Sequence, residues 1–283
     1  MTDLAPSTNA LTIDVEDYFQ VSALAPYISR AQWDSTPCRI ERNMDVVLCL
    51  LREASAKATF FTLGWIAERY PGLVRQIAAE GHEIASHGYG HHRATDQSSA
   101  LFSSDIQRAK AILEDISGAE VRGYRAPSFS IGNRNLWAFD CIEQAGYVYS
   151  SSVYPVRHDH YGMPDAPRFA FRPTPRLTEL PVTTSRFMKA NVPAGGGGYF
   201  RLMPYPVSRW LIRRVNRVDK KPAVFYFHPW ELDSGQPRVP GIGAKTRFRH
   251  YLNLHQTERR LRRLLSDFKW DRVDRVFHDE LCA

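Results

Sequence analysis

Nothing in the 283-residue chain is apolar for long enough to cross a bilayer, since no run approaches the ~20 residues that a spanning helix requires. The first residues lack the basic start and apolar stretch of a secretory leader, so a cytoplasmic protein is expected. Cysteine is scarce: Cys38, Cys49, Cys141 and Cys282 are scattered, with no Cys-x-x-Cys pair. That excludes a disulfide framework or a thiolate zinc ribbon, and Cys49 and Cys141 fall in apolar helical patterns that suit buried, reduced thiols. Repeats of fixed period and low-complexity linkers are also missing. The glycine run Gly195 to Gly198 lacks the Gly-Lys-Ser/Thr ending of a nucleotide cradle and reads as a flexible linker or a weak phosphate site.

What is present is an ordinary globular composition, 43% hydrophobic and 24% charged, with a net charge of +7. The basic balance favours acidic partners only weakly. Strand-like and helix-like stretches alternate along the chain. Strands are expected at residues 11–15, 58–63, 83–86, 121–125, 147–152, 178–183 and 223–227. Helices are expected at 41–54, 65–80, 99–116, 133–144, 206–218 and 256–268, with Gly118 as a C-terminal stop. Such alternation predicts an α/β fold of mostly parallel strands, since each crossover helix returns the chain to begin the next strand. Seven strands suit a closed or nearly closed barrel, whose functional groups gather where strands end.

The polar residues follow that rule. The first strand ends in Asp14-Val15-Glu16-Asp17 and the third in His87-Gly88-Tyr89-Gly90-His91. The fourth ends in Arg125-Ala126-Pro127-Ser128 and the seventh in His228-Pro229-Trp230-Glu231. Two histidines four apart, spaced as on one helical turn, together with one carboxylate describe a divalent site with open positions, most simply zinc. An ion held this way lowers the pKa of a water by many units. A second carboxylate can take the proton, an arginine can orient that carboxylate, and a further histidine can protonate a leaving amine. The chemistry is hydrolysis of an amide or ester. The basic run Arg259, Arg260, Arg262 and Arg263 reads as the solvated face of an amphipathic helix, or less simply as a contact for acidic polymer or lipid.

These motifs resemble the polysaccharide deacetylases, the chitooligosaccharide-deacetylase homology group also called carbohydrate esterase family 4, over residues 11–231. The wording Asp-Val-Glu-Asp-Tyr-Phe, Gly-Gly-Gly-Tyr-Phe-Arg and Phe-His-Pro-Trp-Glu is similar to a branch associated with exosortase and exopolysaccharide loci. The resemblance implies a distorted (β/α)7 barrel, here one catalytic domain over 1–283 with 232–283 as an extension packed on the barrel. It also implies a metal-dependent hydrolase that removes N-acetyl groups from the hexosamines of a poly- or oligosaccharide. Nucleic acid is not an expected partner.

On that pattern Asp14 is the general base, Arg125 its tether, and His87 and His91 metal ligands. The backbone near Ser128 helps bind the oxyanion, and His228 is the general acid; beside these, Trp230 is read as stacking on a substrate sugar ring or as lining the barrel rim. Val15 stands where the family commonly has a second aspartate, so the third ligand is Glu16, with Asp17 as the alternative. Gly88 replaces a usual Ser/Thr. No aspartate clearly backs His228, and Ser150 stands nearest that place. Two rival readings follow: a metal-free amidohydrolase for small cyclic amides, and a non-catalytic carbohydrate-binding protein.

Overall fold

The computed structural model describes residues 7–159, 161–188 and 190–282. Seven strands form the expected parallel core: β1 (Thr8–Val15), β2 (Thr59–Thr62), β3 (Glu83–Ser86), β4 (Gly123–Tyr124), β5 (Tyr149–Ser150), β6 (Thr178–Glu179) and, later in the chain, Val224–Phe227. Between these last two lies an antiparallel hairpin, β7 (Thr184–Phe187) and β8 (Ala190–Pro193), so Val224–Phe227 is β9. An eighth sheet strand, β10 (Lys269–Asp271), adds beside the start of β1. The order is β10-β1-β2-β3-β4-β5-β6, with β9 also on β1, and every pairing in this sheet is parallel.

The sheet curls into a half-barrel, and hydrogen bonds tie β9 to the segments that follow β6 and the hairpin. Thr183 N–H donates to Val224 O (3.3 Å), Val224 N–H to Thr183 Oγ1 (2.6 Å) and Tyr226 N–H to Gly195 O (2.7 Å). The glycine run is therefore a seam rather than a linker. Gly196 holds φ 110°, and a Cβ there would lie 2.0 Å from Tyr226 O, so no side chain fits. Strands buried on both faces explain the continuous apolar runs such as Val-Phe-Tyr-Phe in β9.

The helices surround this sheet: α1 (Ile40–Glu53), α2 (Gly64–Arg69), α3 (Pro71–Ala79), α4 (Ser99–Ser117), α5 (Trp137–Gln144), α6 (Gly197–Leu202), α7 (Tyr205–Arg214), α8 (Ala244–Tyr251), α9 (Leu254–Asp267), α10 (Val273–Val276) and α11 (His278–Cys282). Two departures from the periodicity have local causes. The single helix expected over 65–80 breaks at Tyr70 (φ −126°, ψ 55°), because Pro71 lacks an N–H and disfavours helical backbone before it. α5 begins at Trp137 rather than 133 because the Asn135 side chain is committed to a turn, accepting from Gly132 N–H and donating to Ser130 O, both at 2.9 Å. Gly118 caps α4 as expected, at φ 66°. Cys141 is buried, whereas Cys49 is only partly so.

The C-terminal helices close one end of the barrel. Val273 N–H donates to Thr59 Oγ1 (2.8 Å), Asp274 N–H to Glu83 Oε2 (3.2 Å) and Thr178 Oγ1–H to Glu280 O (3.2 Å). Thr59, Glu83 and Thr178 are the first residues of β2, β3 and β6, so this plug sits at the strands' N-terminal ends. Val273, Phe277 and Leu281 share a buried cluster with Ala10, Phe61, Ala85 and Tyr149. The other end, where the strands finish, is left for the polar residues.

Candidate active site

Five segments deliver the polar groups. β1 runs out at Val15 and passes Asp14 and Glu16 into the mouth, while β3 ends at Ser86 and hands on to His87. The histidine pair is set by a loop rather than by the helical turn its spacing suggested. Gly88 takes φ 74° and His91 φ 52°, folding the chain so that the two imidazole centroids lie 5.3 Å apart. Gly88 also explains the absent hydroxyl: a Cβ there would lie 2.8 Å from Asp105 Oδ2, which instead accepts from Tyr89 N–H at 2.9 Å and braces the turn. Arg30 clamps the loop from outside through Gly90 O (2.6 Å) and His91 O (2.8 Å).

One ligand atom from each of Glu16, His87 and His91 lies within 4.8 Å of the others, and all three residues are buried. Glu16 Oε2 is 2.7 Å from His91 Nε2, yet it makes no aligned hydrogen bond and has no other partner. Two donor atoms in contact but out of hydrogen-bond alignment are what a shared ion would explain. His87 Nδ1 is bonded to Arg125 O at 2.8 Å, which leaves Nε2 as the inward atom. Burial is the main cause that pushes His87 down to about 4, keeping it in the neutral form a ligand needs. Burial alone would raise Glu16, but the imidazoles of His91, His228 and His87 outweigh it and hold the carboxyl at about 2. Asp17 faces elsewhere: its carboxylate accepts from Tyr18 N–H (2.7 Å) and from Arg39 N–H.

Asp14 lies beside this trio. Arg125 Nη1 donates to Asp14 Oδ1 (2.7 Å) and to Thr12 Oγ1 (2.8 Å), while Nε and Nη2 donate to Ser151 O and Ser151 Oγ. The guanidinium is fully buried, with its carbon 4.0 Å from the Phe61 ring centroid. Its geometry is therefore fixed, and Asp14 Oδ2 is left towards His228 Nε2, 3.8 Å away. Beyond Arg125, the turn containing Ser128 (φ 56°) and Phe129 (φ 50°) is left-handed at both residues, local strain of the kind that gathers at functional sites. The Ser128 hydroxyl is shared with that of Ser22 at 2.7 Å.

His228 closes the far side, with Nε2 3.4 Å from Glu16 Oε1. Its partner is a residue the sequence reading missed. Glu231 Oε1 accepts from His228 N–H (3.1 Å) and lies 2.7 Å from Nδ1. Arg201, from the Gly-Gly-Gly-Tyr-Phe-Arg stretch, donates to Glu231 Oε2 at 2.5 Å and to the carbonyls of Arg249, His250 and Leu252. Ser150 does not fill this place; its hydroxyl bonds Ser152 Oγ at 2.8 Å. Burial opposes charge on His228, but Glu16, Glu231 and Asp14 together raise it to about 9. Trp230, expected to meet the substrate, is buried instead. Its indole stacks on His228 and His250, and its Nε1–H donates to Glu16 Oε1 at 3.4 Å, so it supports a proposed ligand.

Comparison with known proteins divides the chain in two. Residues 31–149 match the family model described as Polysaccharide deacetylase, and residues 151–278 match one described only as a domain of unknown function (DUF3473). Over 79 residues, 28% of this chain, it is 40% identical to a chitooligosaccharide deacetylase of Azorhizobium caulinodans. Over 101 residues, 36% of this chain, it is 38% identical to a peptidoglycan-N-acetylglucosamine deacetylase of Bacillus cereus. The matched parts cover 38% and 46% of those relatives, so the chain spans less than half the length of either. A solved structure from Mycobacterium smegmatis, assigned to the polysaccharide deacetylases, shares the fold with a TM-score of 0.63 at 19% identity, covering 99% of this chain and 96% of its own. The likeness to polysaccharide deacetylases thus rests on residues 31–149 and on short stretches of the curated relatives, while the solved structure shares the fold.

Proposed function

We propose that the protein is a metal-dependent N-deacetylase that hydrolyses the N-acetyl groups of hexosamines in a polysaccharide. The observation that carries this reading is the convergence of Glu16, His87 and His91 between a tethered Asp14 and a Glu231-backed His228. The two histidines and the carboxylate would hold a divalent ion, and this donor set suits zinc. When bound, such an ion supplies Lewis acidity towards the acetyl carbonyl and a water of lowered pKa.

The chain's own residues complete the chemistry. Arg125 takes up Asp14 Oδ1, leaving Oδ2 to accept a proton from the attacking water. Water adds to the acetyl carbon, and the carbon–nitrogen bond then breaks. His228, protonated at neutral pH, delivers its Nε2 proton to the departing amine, giving acetate and a free amino sugar. Glu231 holds the Nδ1–H, so Nε2 is the nitrogen that faces the reaction. The left-handed turn at Ser128 follows Arg125 closely in the chain and is the candidate source of a backbone donor for the oxyanion.

The non-catalytic reading rested on an unsupported His228, and Glu231 supplies that support. The resemblance of the Asp-Val-Glu-Asp-Tyr-Phe and Phe-His-Pro-Trp-Glu stretches to exopolysaccharide-associated deacetylases favours a polymer of that kind as substrate. Acetate release from N-acetylated glucosamine polymers tests the proposal. Release that a chelator abolishes and zinc restores is the expected result. Release untouched by thorough chelation would make the deacetylation metal-free, and no release from the zinc-loaded protein would overturn the reading.

A further inference from the structure

We propose that the face formed by the β7–β8 hairpin and α7 docks on an anionic membrane surface, lying in its plane without crossing it. This is independent of the catalytic reading and rests on three sets of observations.

The first is exposed apolar side chains at one place. Met188, 85% exposed, projects from the hairpin turn at φ 53°, a left-handed conformation uncommon for a side chain other than glycine. Phe187 beside it and Trp210 on α7 are each about half exposed, with ring centroids 6.2 Å apart. Arg214 Nε–H donates to Arg186 O at 3.1 Å, so hairpin and helix form one surface.

The second is charge. Residues 205–221 contain Arg209, Arg213, Arg214, Arg217, Lys220 and Lys221 against a single acid, Asp219. That acid is occupied by Arg168, whose Nη2 lies 2.8 Å from Asp219 Oδ2. Asp267 offsets part of the patch through Arg209 (3.0 Å) and Arg213 (3.8 Å).

The third is the arrangement of the two. Val207, Trp210 and Arg214 fall three and four residues apart on one side of α7, with Arg213 beside them and Arg217 in the helical turn Val215–Asp219 that follows, while Leu211 and Ile212 are buried. Apolar tips therefore stand among cations, which is how interfacial segments meet anionic headgroups: the tips enter the acyl boundary and the arginines stay with the phosphates. An acidic polysaccharide or a nucleic acid would use the cations but leave Met188 and Val207 in water.

The test uses the full chain and sucrose-loaded vesicles of phosphatidylcholine, with or without about a third phosphatidylglycerol, at low and physiological salt. Sedimentation with the anionic vesicles only, weakening as salt rises, is expected. The variant F187S/M188S/W210S keeps every charge and is expected to bind roughly tenfold or more weakly, with an unchanged melting curve. The variant R213E/R217E should lose a comparable factor. No sedimentation with anionic vesicles would overturn the proposal. So would full binding by the serine variant with equal retention on heparin, which would make the patch a general polyanion surface.

Discussion

Each end of the barrel buries a glutamate, and although burial raises both, their neighbours send the two in opposite directions. At the plugged end Glu83 is answered by the hydroxyls of Thr59 and Tyr149 and by the peptide N–H of Asp274. Burial, reinforced by the Asp274 carboxylate, pushes it up to about 7 despite those bonds. At the open end Glu16 is as deeply buried, yet three imidazoles carry it down to about 2. Depth alone therefore does not set the state of a buried acid. Hydroxyls can satisfy a carboxyl in either state, whereas imidazoles on several strand ends hold it charged. One end uses its glutamate to fasten a C-terminal plug; the other keeps a charged group facing space where a ligand can enter.

Changing each acid in turn would break that comparison most sharply. Asp14→Asn should lower acetate release by roughly 10²- to 10⁴-fold with little change in folding, since the amide keeps the shape but cannot take the proton. Glu16→Gln should cost zinc affinity, measured by calorimetry, more than the roughly 10- to 100-fold typical of losing a supporting residue. Glu83→Gln should leave both activity and zinc affinity unchanged. If Glu83→Gln lowered activity as far as Glu16→Gln, the separation of the two ends would be wrong.

Glu231 gives a smaller and more diagnostic effect. Glu231→Gln retains an acceptor for the His228 Nδ1–H but removes one of the charges that raise His228 to about 9. Truncation to alanine would instead strand the buried Arg201 and confuse chemistry with stability. The glutamine variant should lose about 10- to 100-fold in kcat, towards the low end of what a positioned acid contributes. The high-pH limb of its kcat profile should move to lower pH, because His228 then gives up its proton sooner as pH rises. A uniform loss with an unmoved limb would show that Glu231 only packs there.

Much of this site was legible in the sequence because parallel strands place their last residues at one end, whatever the intervening helices do. Asp14, His87, His91, Arg125 and His228 could all be found that way. What escaped was set by side chains meeting across the fold or within a turn. Glu16 and Asp17 are neighbours, and only the path of the chain after β1 shows that Asp17 turns back to the N–H groups of Tyr18 and Arg39. Glu231 did carry a local signal. His228 precedes the short helical turn Pro229–Leu232, and a glutamate at its third position reaches back to the preceding N–H, a capping box. Sought by family position, it was overlooked; sought by capping, it is three residues away. Trp230 misled for a different reason, since an aromatic at a strand end reads the same whether it lines a rim or lies beneath it. Residues 151–278, matched by a family model of unknown function, supply His228, Glu231 and Arg201, the stretch matched by the deacetylase model supplies His87, His91 and Arg125, and Asp14 and Glu16 precede both.

The smallest expected effect concerns stability at the plugged end. Glu83 has a native value near 7 against an ordinary 4.5, so between those values the folded protein holds a proton that the unfolded chain has released. Its contribution to stability is therefore present at low pH and falls as pH rises from about 4.5 to about 7. Above that range both states are ionised and the loss is complete. Glu179 is raised to about 7 by burial and adds a slope of the same sign, while His82, lowered to about 4 mainly by burial, adds the opposite one at acid pH. Comparing Glu83→Gln with the parent cancels both. Urea unfolding should show the variant gaining on the parent by on the order of 1–3 kcal/mol between pH 5 and pH 8. A difference that stays flat across that interval would mean that Glu83 is already charged in the folded protein at pH 5, and that both ends of the barrel hold their glutamates in the same state.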